Sequence, residues 1–204
     1  MEFGVVNHWR FNVIALVVGL AVFLGIHLIP TSPVRRDALI SRLGPAGYKI
    51  GFTALSFIGL ALIIVGYGQL RATDANIALW APPAWSKHIA YLLMLPAMIF
   101  IVAAQIPSRI RTAVKHPMLL AIKIWALAHL IANGDLASML LFGSFLAYAI
   151  YDRISVKRRA AAGPLGQKVG APINDAIVVG IGLALYFALM MGGHEWLIGK
   201  PLLS

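Results

Sequence analysis

Six stretches of this chain, near residues 10–29, 48–68, 88–106, 117–132, 135–152 and 174–192, are apolar almost throughout. Each approaches the ~20 residues that a helix needs to cross a ~30 Å hydrocarbon core, the fourth being the shortest. Inside lipid no water is present to satisfy peptide groups, so only helices and closed barrels span it, and runs of this length select the helix. The pattern predicts an all-α fold: a polytopic helical bundle of six transmembrane helices forming a single domain over residues 1–204, with the lipid bilayer as its main partner. Composition agrees, since 60% of residues are hydrophobic and only 12% charged, against about 25% charged in soluble domains. The first run is longer than a signal-peptide core and no A-x-A cleavage site comes after it, so it is expected to be a retained span.

The net charge is +10. In a soluble protein that balance would point to nucleic acid; here the cations sit in short connections and read as topology signals, with no nucleic-acid partner expected. The first, third and fifth connections carry twelve Lys and Arg, while the other connections and the termini carry four. By the positive-inside rule both termini lie on the non-cytoplasmic side. Trp9, Trp80, Trp85 and Trp196 fall on that outer side and Trp125 in the outer half of the fourth span, as an interfacial aromatic belt would. The chain has no cysteine, which excludes disulfides, thiolate ligands and thiol catalysis.

Several local signals concern packing. Gly51, Gly59 and Gly66 recur on one side of the second span, and Ala176, Gly180, Ala184, Ala188 and Gly192 form a small-residue stripe on the sixth; both are expected to be close-packing ridges. Asn133-Gly134-Asp135 makes a two-helix hairpin of the fourth and fifth spans, with Gly134 as a stop and Asp135 as a cap. Asn174-Asp175 is expected to cap the sixth span. Residues 107–116 suit an interfacial helix leading into Pro117, and Pro96 is expected to kink the third span.

The fourth span carries the most polar chemistry, because Lys123 and His129 lie inside it and His116 precedes it. Ionisable groups at membrane depth cost several kcal/mol unless they find partners. His27 and His116 are placed near the inner face, His88 and His129 near the outer. His116 and His129 are 13 residues apart, roughly 20 Å and about 140° around the helix, so they cannot serve one small site. Depth pairs His88 with His129 and His27 with His116. Imidazoles between membrane helices are good ligands for haem iron. No carboxylate lies beside them for a hard metal, no H-E-x-x-H occurs, and Ser138 and Ser144 have no base on their own helix. Trp125 shares the face of His129. Lys123, about 120° away, can snorkel toward the inner surface or anchor a propionate.

The strings GIHLIP, GPAGYK, VGYGQLRA, LWAPPAWSKHIAYLLMLPA and KHPMLLAIKIWALAHLIANGD resemble the NnrU family of bacterial membrane proteins over nearly the whole chain. That resemblance implies a bacterial inner-membrane location and a link to nitrite and nitric oxide metabolism in denitrification. The chain is also similar to 15-cis-zeta-carotene isomerase, a haem b membrane enzyme acting on an apolar polyene. This implies haem b ligation by His27 and His129, with nitric oxide or an apolar small molecule as the species acted on. The isomerase has a cysteine where this chain has Ala126, so a cysteine-dependent ligand switch does not carry over. Depth places His27 and His129 far apart, so either the first span is displaced or the partner of His129 is His88; both stay open. KHPMLL and the hairpin after it are similar to the isoprenylcysteine carboxyl methyltransferase group, which implies S-adenosylmethionine. Lys115 and Leu119 replace that group's Arg and Tyr, and its acidic pair is missing after Arg153. A cofactor-free accessory protein of a denitrification or respiratory complex is the remaining alternative.

Overall fold

The computed structural model describes residues 5–161 and 169–202, with side chains from residue 13 onward. The side chain of Trp9 of the aromatic belt and part of the fifth basic connection therefore lie outside what is described. Helices run α1 (Val5–Leu28), α2 (Pro33–Arg71), α3 (Ser86–Ala103), α4 (Arg109–Val114), α5 (Pro117–Ala132), α6 (Leu136–Arg158), α7 (Pro172–Ala188) and α8 (His194–Ile198). Among the described residues there is no strand, only an isolated bridge between Ala78 and Asp135. Among the described residues five segments are long and apolar enough to cross a membrane. The expected fourth span, α5, has 16 residues, about 24 Å at ~1.5 Å per residue, which is short of a ~30 Å core.

The chain divides into two compact units. The first comprises residues 1–81 and 134–148, and its main packing is α1 on α2. Glycine makes that approach possible: a Cβ on Gly59 would lie 2.7 Å from the Phe23 nitrogen, and one on Gly66 would overlap the Leu16 nitrogen. Gly51, expected on the same ridge, has open space around it. Helix α2 also extends into what the sequence suggested was a loop. Its first part, from Pro33, is joined to the span across a break at Gly44, whose φ of 71° and ψ of 163° only glycine adopts readily, followed by Pro45.

The tightest point of this unit is the hairpin turn. Gly134 accepts hydrogen bonds from Leu79 N at 2.7 Å and Trp80 N at 3.2 Å, and a Cβ on it would overlap the Trp80 carbonyl oxygen. Asp135 caps α6 as expected, accepting from Ser138 N at 3.0 Å and Ser138 Oγ at 2.8 Å. Asn76 Oδ1 accepts from Ala137 N at 2.8 Å. Burial raises the Asp135 pKa, but the Ser138 backbone and hydroxyl, Asn76 and the Arg71 charge outweigh it and hold the carboxyl below its ordinary 3.8.

The second unit comprises residues 82–133 and 149–204, with α3 packed on both α5 and α7. Its helix α3 runs unbroken through Pro96. Helix α7 packs through Val178 and Gly182, both buried, and a Cβ on Gly182 would meet the Ile99 backbone at 2.7 Å. The stripe of Ala176, Gly180, Ala184 and Ala188 is instead largely exposed, because the tighter contact belongs to the other face. Asn174 and Asp175 do not cap α7, which starts two residues earlier at Pro172. They secure the preceding turn: Asn174 Nδ2 donates to Pro107 O at 2.6 Å, and Asp175 Oδ1 accepts from Arg109 N at 2.7 Å and Ile110 N at 3.2 Å. The aspartate thus caps α4, where Ser108 also accepts from Arg111 N.

Gly134→Ala is expected to destabilise the purified protein by about 1–3 kcal/mol through overpacking against rigid backbone, whereas Gly51→Ala is expected to be neutral or to stabilise by up to ~1 kcal/mol. Thermal unfolding followed by circular dichroism in detergent checks both. Asp135→Ala is expected to cost about 0.5–2 kcal/mol in the same assay, through the lost cap.

Candidate functional site

In the second unit, one face of α3 presents Lys87, Ala90, Tyr91, Met94 and Met98 at helical spacing to a cavity of about 250 Å³. Helix α5 contributes Ala128, His129, Ala132 and Asn133 at its C-terminal end. This end comes close to α3 because α5 buries small residues, Ala121, Ala126 and Ala128, without exposed surface. Beyond α7, Met190 and His194 complete the wall, and Lys200, Pro201 and Leu202 cover it. That last segment is fastened to the unit by the Tyr91 hydroxyl, which donates to Leu202 O at 2.5 Å, and by the His194 ring, whose Nδ1 bonds Lys200 O at 2.8 Å.

His129 is a half-buried polar group on the wall. Its Nδ1 bonds the Trp125 carbonyl at 2.8 Å, and since a carbonyl only accepts, Nδ1 carries the proton and the lone pair lies on Nε2. The Trp125 ring stands 5.4 Å from the imidazole, as their four-residue spacing requires. Asn133 Nδ2 closes the helix end on the His129 carbonyl at 2.9 Å. The cavity is therefore apolar in depth, with an oriented imidazole and two ammonium groups on its lining.

The other histidines singled out by sequence fall elsewhere. His27 is in the first unit, its ring stacked on Phe23 at 4.3 Å and edge-on to Phe52 at 5.1 Å, with Nδ1 bonded to the Phe23 carbonyl at 2.6 Å. His88 is exposed, 6.3 Å from the Tyr91 ring, and does not line the cavity. Lys123 is half-buried in mid-helix. His116 stands at the N-cap of α5, half-buried at the far end of that helix from His129. His194 is the residue that sequence reading missed. It lies two positions beyond the apolar run, and only its i, i+4 spacing from Met190 hinted at a shared face.

Among the described residues no three His, Cys, Asp or Glu side chains gather as a metal site. A prosthetic group that supplies most of its own metal ligands, leaving only axial positions to the protein, does not need one.

Burial lowers the His116 pKa below its ordinary 6.5, and the nearby Arg153, Lys115 and Arg111 charges act in the same direction against Asp152. The unfolded chain then takes up the proton first, so stability is expected to fall as pH drops below 6.5 and to level off once the folded imidazole is protonated. Melting temperatures between pH 7.5 and 5 should show a smaller decline in His116→Gln than in the parent chain.

The chain belongs to the NnrU protein family, whose model matches residues 15–202. No curated protein and no solved structure matches it.

Proposed function

We propose that this NnrU protein is a haem b-binding membrane protein in which His129 would hold the iron. It would cross a bacterial inner membrane six times, with both termini outside the cytoplasm. The observation that carries the reading is the His129 ring, with Nδ1–H given to the Trp125 carbonyl at 2.8 Å on the wall of an otherwise apolar cavity. Metal-binding histidines almost always give their second ring N–H to a carbonyl or carboxylate, which aims the other nitrogen and raises its basicity.

The residues present fit the group in kind. A porphyrin is an apolar plate bearing two carboxylates; Ala90, Met94, Met98 and Leu189 offer apolar walls, and Lys87 and Lys200 offer cations. The cavity of about 250 Å³ is smaller than the roughly 300–1,000 Å³ of sites that enclose drug-sized ligands. Entry of a porphyrin therefore requires residues 200–202 to give way, and two hydrogen bonds hold that segment. When bound, haem iron supplies a coordination site for nitric oxide or a redox centre for isomerising an apolar polyene. The chain's own part is to aim Nε2 of His129, to neutralise carboxylates with lysine, and to keep water out with methionine, alanine and leucine. A role in denitrification belongs to the same reading.

Purified protein is expected to show a Soret band that survives washing and is lost in His129→Ala with helicity unchanged. A colourless parent protein with full helicity contradicts the reading and favours the cofactor-free accessory role.

A further inference from the structure

We infer that the cavity beneath residues 200–202 is a binding site for one unbranched hydrocarbon chain ending in a carboxylate, a free fatty acid of about eight to ten carbons. The inference concerns the cavity with that segment in place and does not rest on the haem reading.

Size and shape point to a single chain. The α3 part of the lining runs from Lys87 to Met98, a length of ~16 Å at ~1.5 Å per residue. A volume of about 250 Å³ drawn out over that length has a mean cross-section of about 15 Å². That is the width of one hydrocarbon chain, too narrow for a ring system or for the two chains of a phospholipid. Measured against the ~30 Å³ that a water takes up in the liquid, the same volume holds roughly eight methylene-sized groups. The carboxylate is then left at the rim.

The lining changes character along that length. Lys87 is exposed, Met94 half-buried and Met98 buried, and Ala128 on α5 has no exposed surface. The Tyr91 hydroxyl, one turn on from Lys87, donates to Leu202 O, which brings Lys200 to the same end. Cations thus stand at the mouth, while the floor is methionine and alanine, and methionine adapts readily to a flexible occupant. Among the described residues no carboxylate lines the cavity, and neither lysine belongs to an ion pair. A neutral hydrocarbon leaves both ammonium groups without a counter-charge. A small inorganic anion leaves the apolar length empty. A chain with a terminal carboxylate meets both ends: burial of the tail supplies the affinity, roughly fourfold per methylene, and the exposed lysines fix its direction more than its strength.

The test is calorimetric titration of the purified full-length chain, before any haem is added, with straight-chain carboxylates of increasing length, referred to their free concentrations. Saturable binding is expected, with affinity rising roughly fourfold per methylene from hexanoate to octanoate and levelling off beyond about ten carbons. In the double variant Lys87→Gln, Lys200→Gln, octanoate is expected to bind about five- to tenfold more weakly, with octanol binding unchanged; both side chains are exposed, so the fold is kept. Met94→Trp, which fills the middle of the cavity, is expected to abolish octanoate binding. The inference is overturned if the parent chain shows no saturable binding, if octanol or inorganic phosphate binds as tightly as octanoate, or if dioctanoyl phosphatidylglycerol binds more tightly. A colourless parent chain that binds octanoate in this way contradicts the haem reading and supports this one.

Discussion

Lipid offers no hydrogen bonds, and that constraint governs the polar atoms within the apolar helices of this chain. Backbone groups meet it by forming helices. Side chains meet it by turning back on their own helix: Ser56 Oγ donates to Phe52 O at 2.7 Å, and the rings of His27 and His129 each use Nδ1 on the carbonyl four residues earlier. For serine the solution is complete in itself. For histidine the same contact also sets which ring nitrogen carries the proton.

The same constraint explains the turn between α5 and α6. So short a connection leaves helix-end carbonyls and amides to be satisfied at once, and residues 76–80 supply the partners: Asn76 for the Ala137 amide, Ile77 O for the Leu136 amide, and the Leu79 and Trp80 amides for the Gly134 carbonyl. Glycine is needed because backbone, not side chain, packs against it. The loop after α2 is thus the partner of a helix hairpin.

Much of the fold was legible because hydrophobic run length and turn chemistry act locally. The helical class, the short helix before Pro117, the Asp135 cap and the Trp125–His129 contact follow from spacing alone. The misreadings share one cause, that sequence gives a residue's phase on its own helix but not which face a neighbour takes. Gly51 and the Ala176–Gly180–Ala184 stripe are right in composition and face open space or the exterior, while Gly182, off the stripe, makes the contact. Asn174 and Asp175 look like a cap for the helix they belong to and act instead on α4 and the turn before it, because a Pro at 172 starts α7 earlier. His194 was hidden for a related reason: its bearing depends on a turn at Met191 and Gly192 whose departure from 100° per residue leaves no clear mark in composition.

The haem reading depends on the cavity of the second unit holding iron protoporphyrin against His129. The most direct measurement is a pyridine haemochrome assay on the purified chain, set against its protein concentration. A haem b spectrum at stoichiometric amount is expected in the parent chain. Folded protein, monodisperse and fully helical, that carries no haem even after incubation with it would contradict the reading.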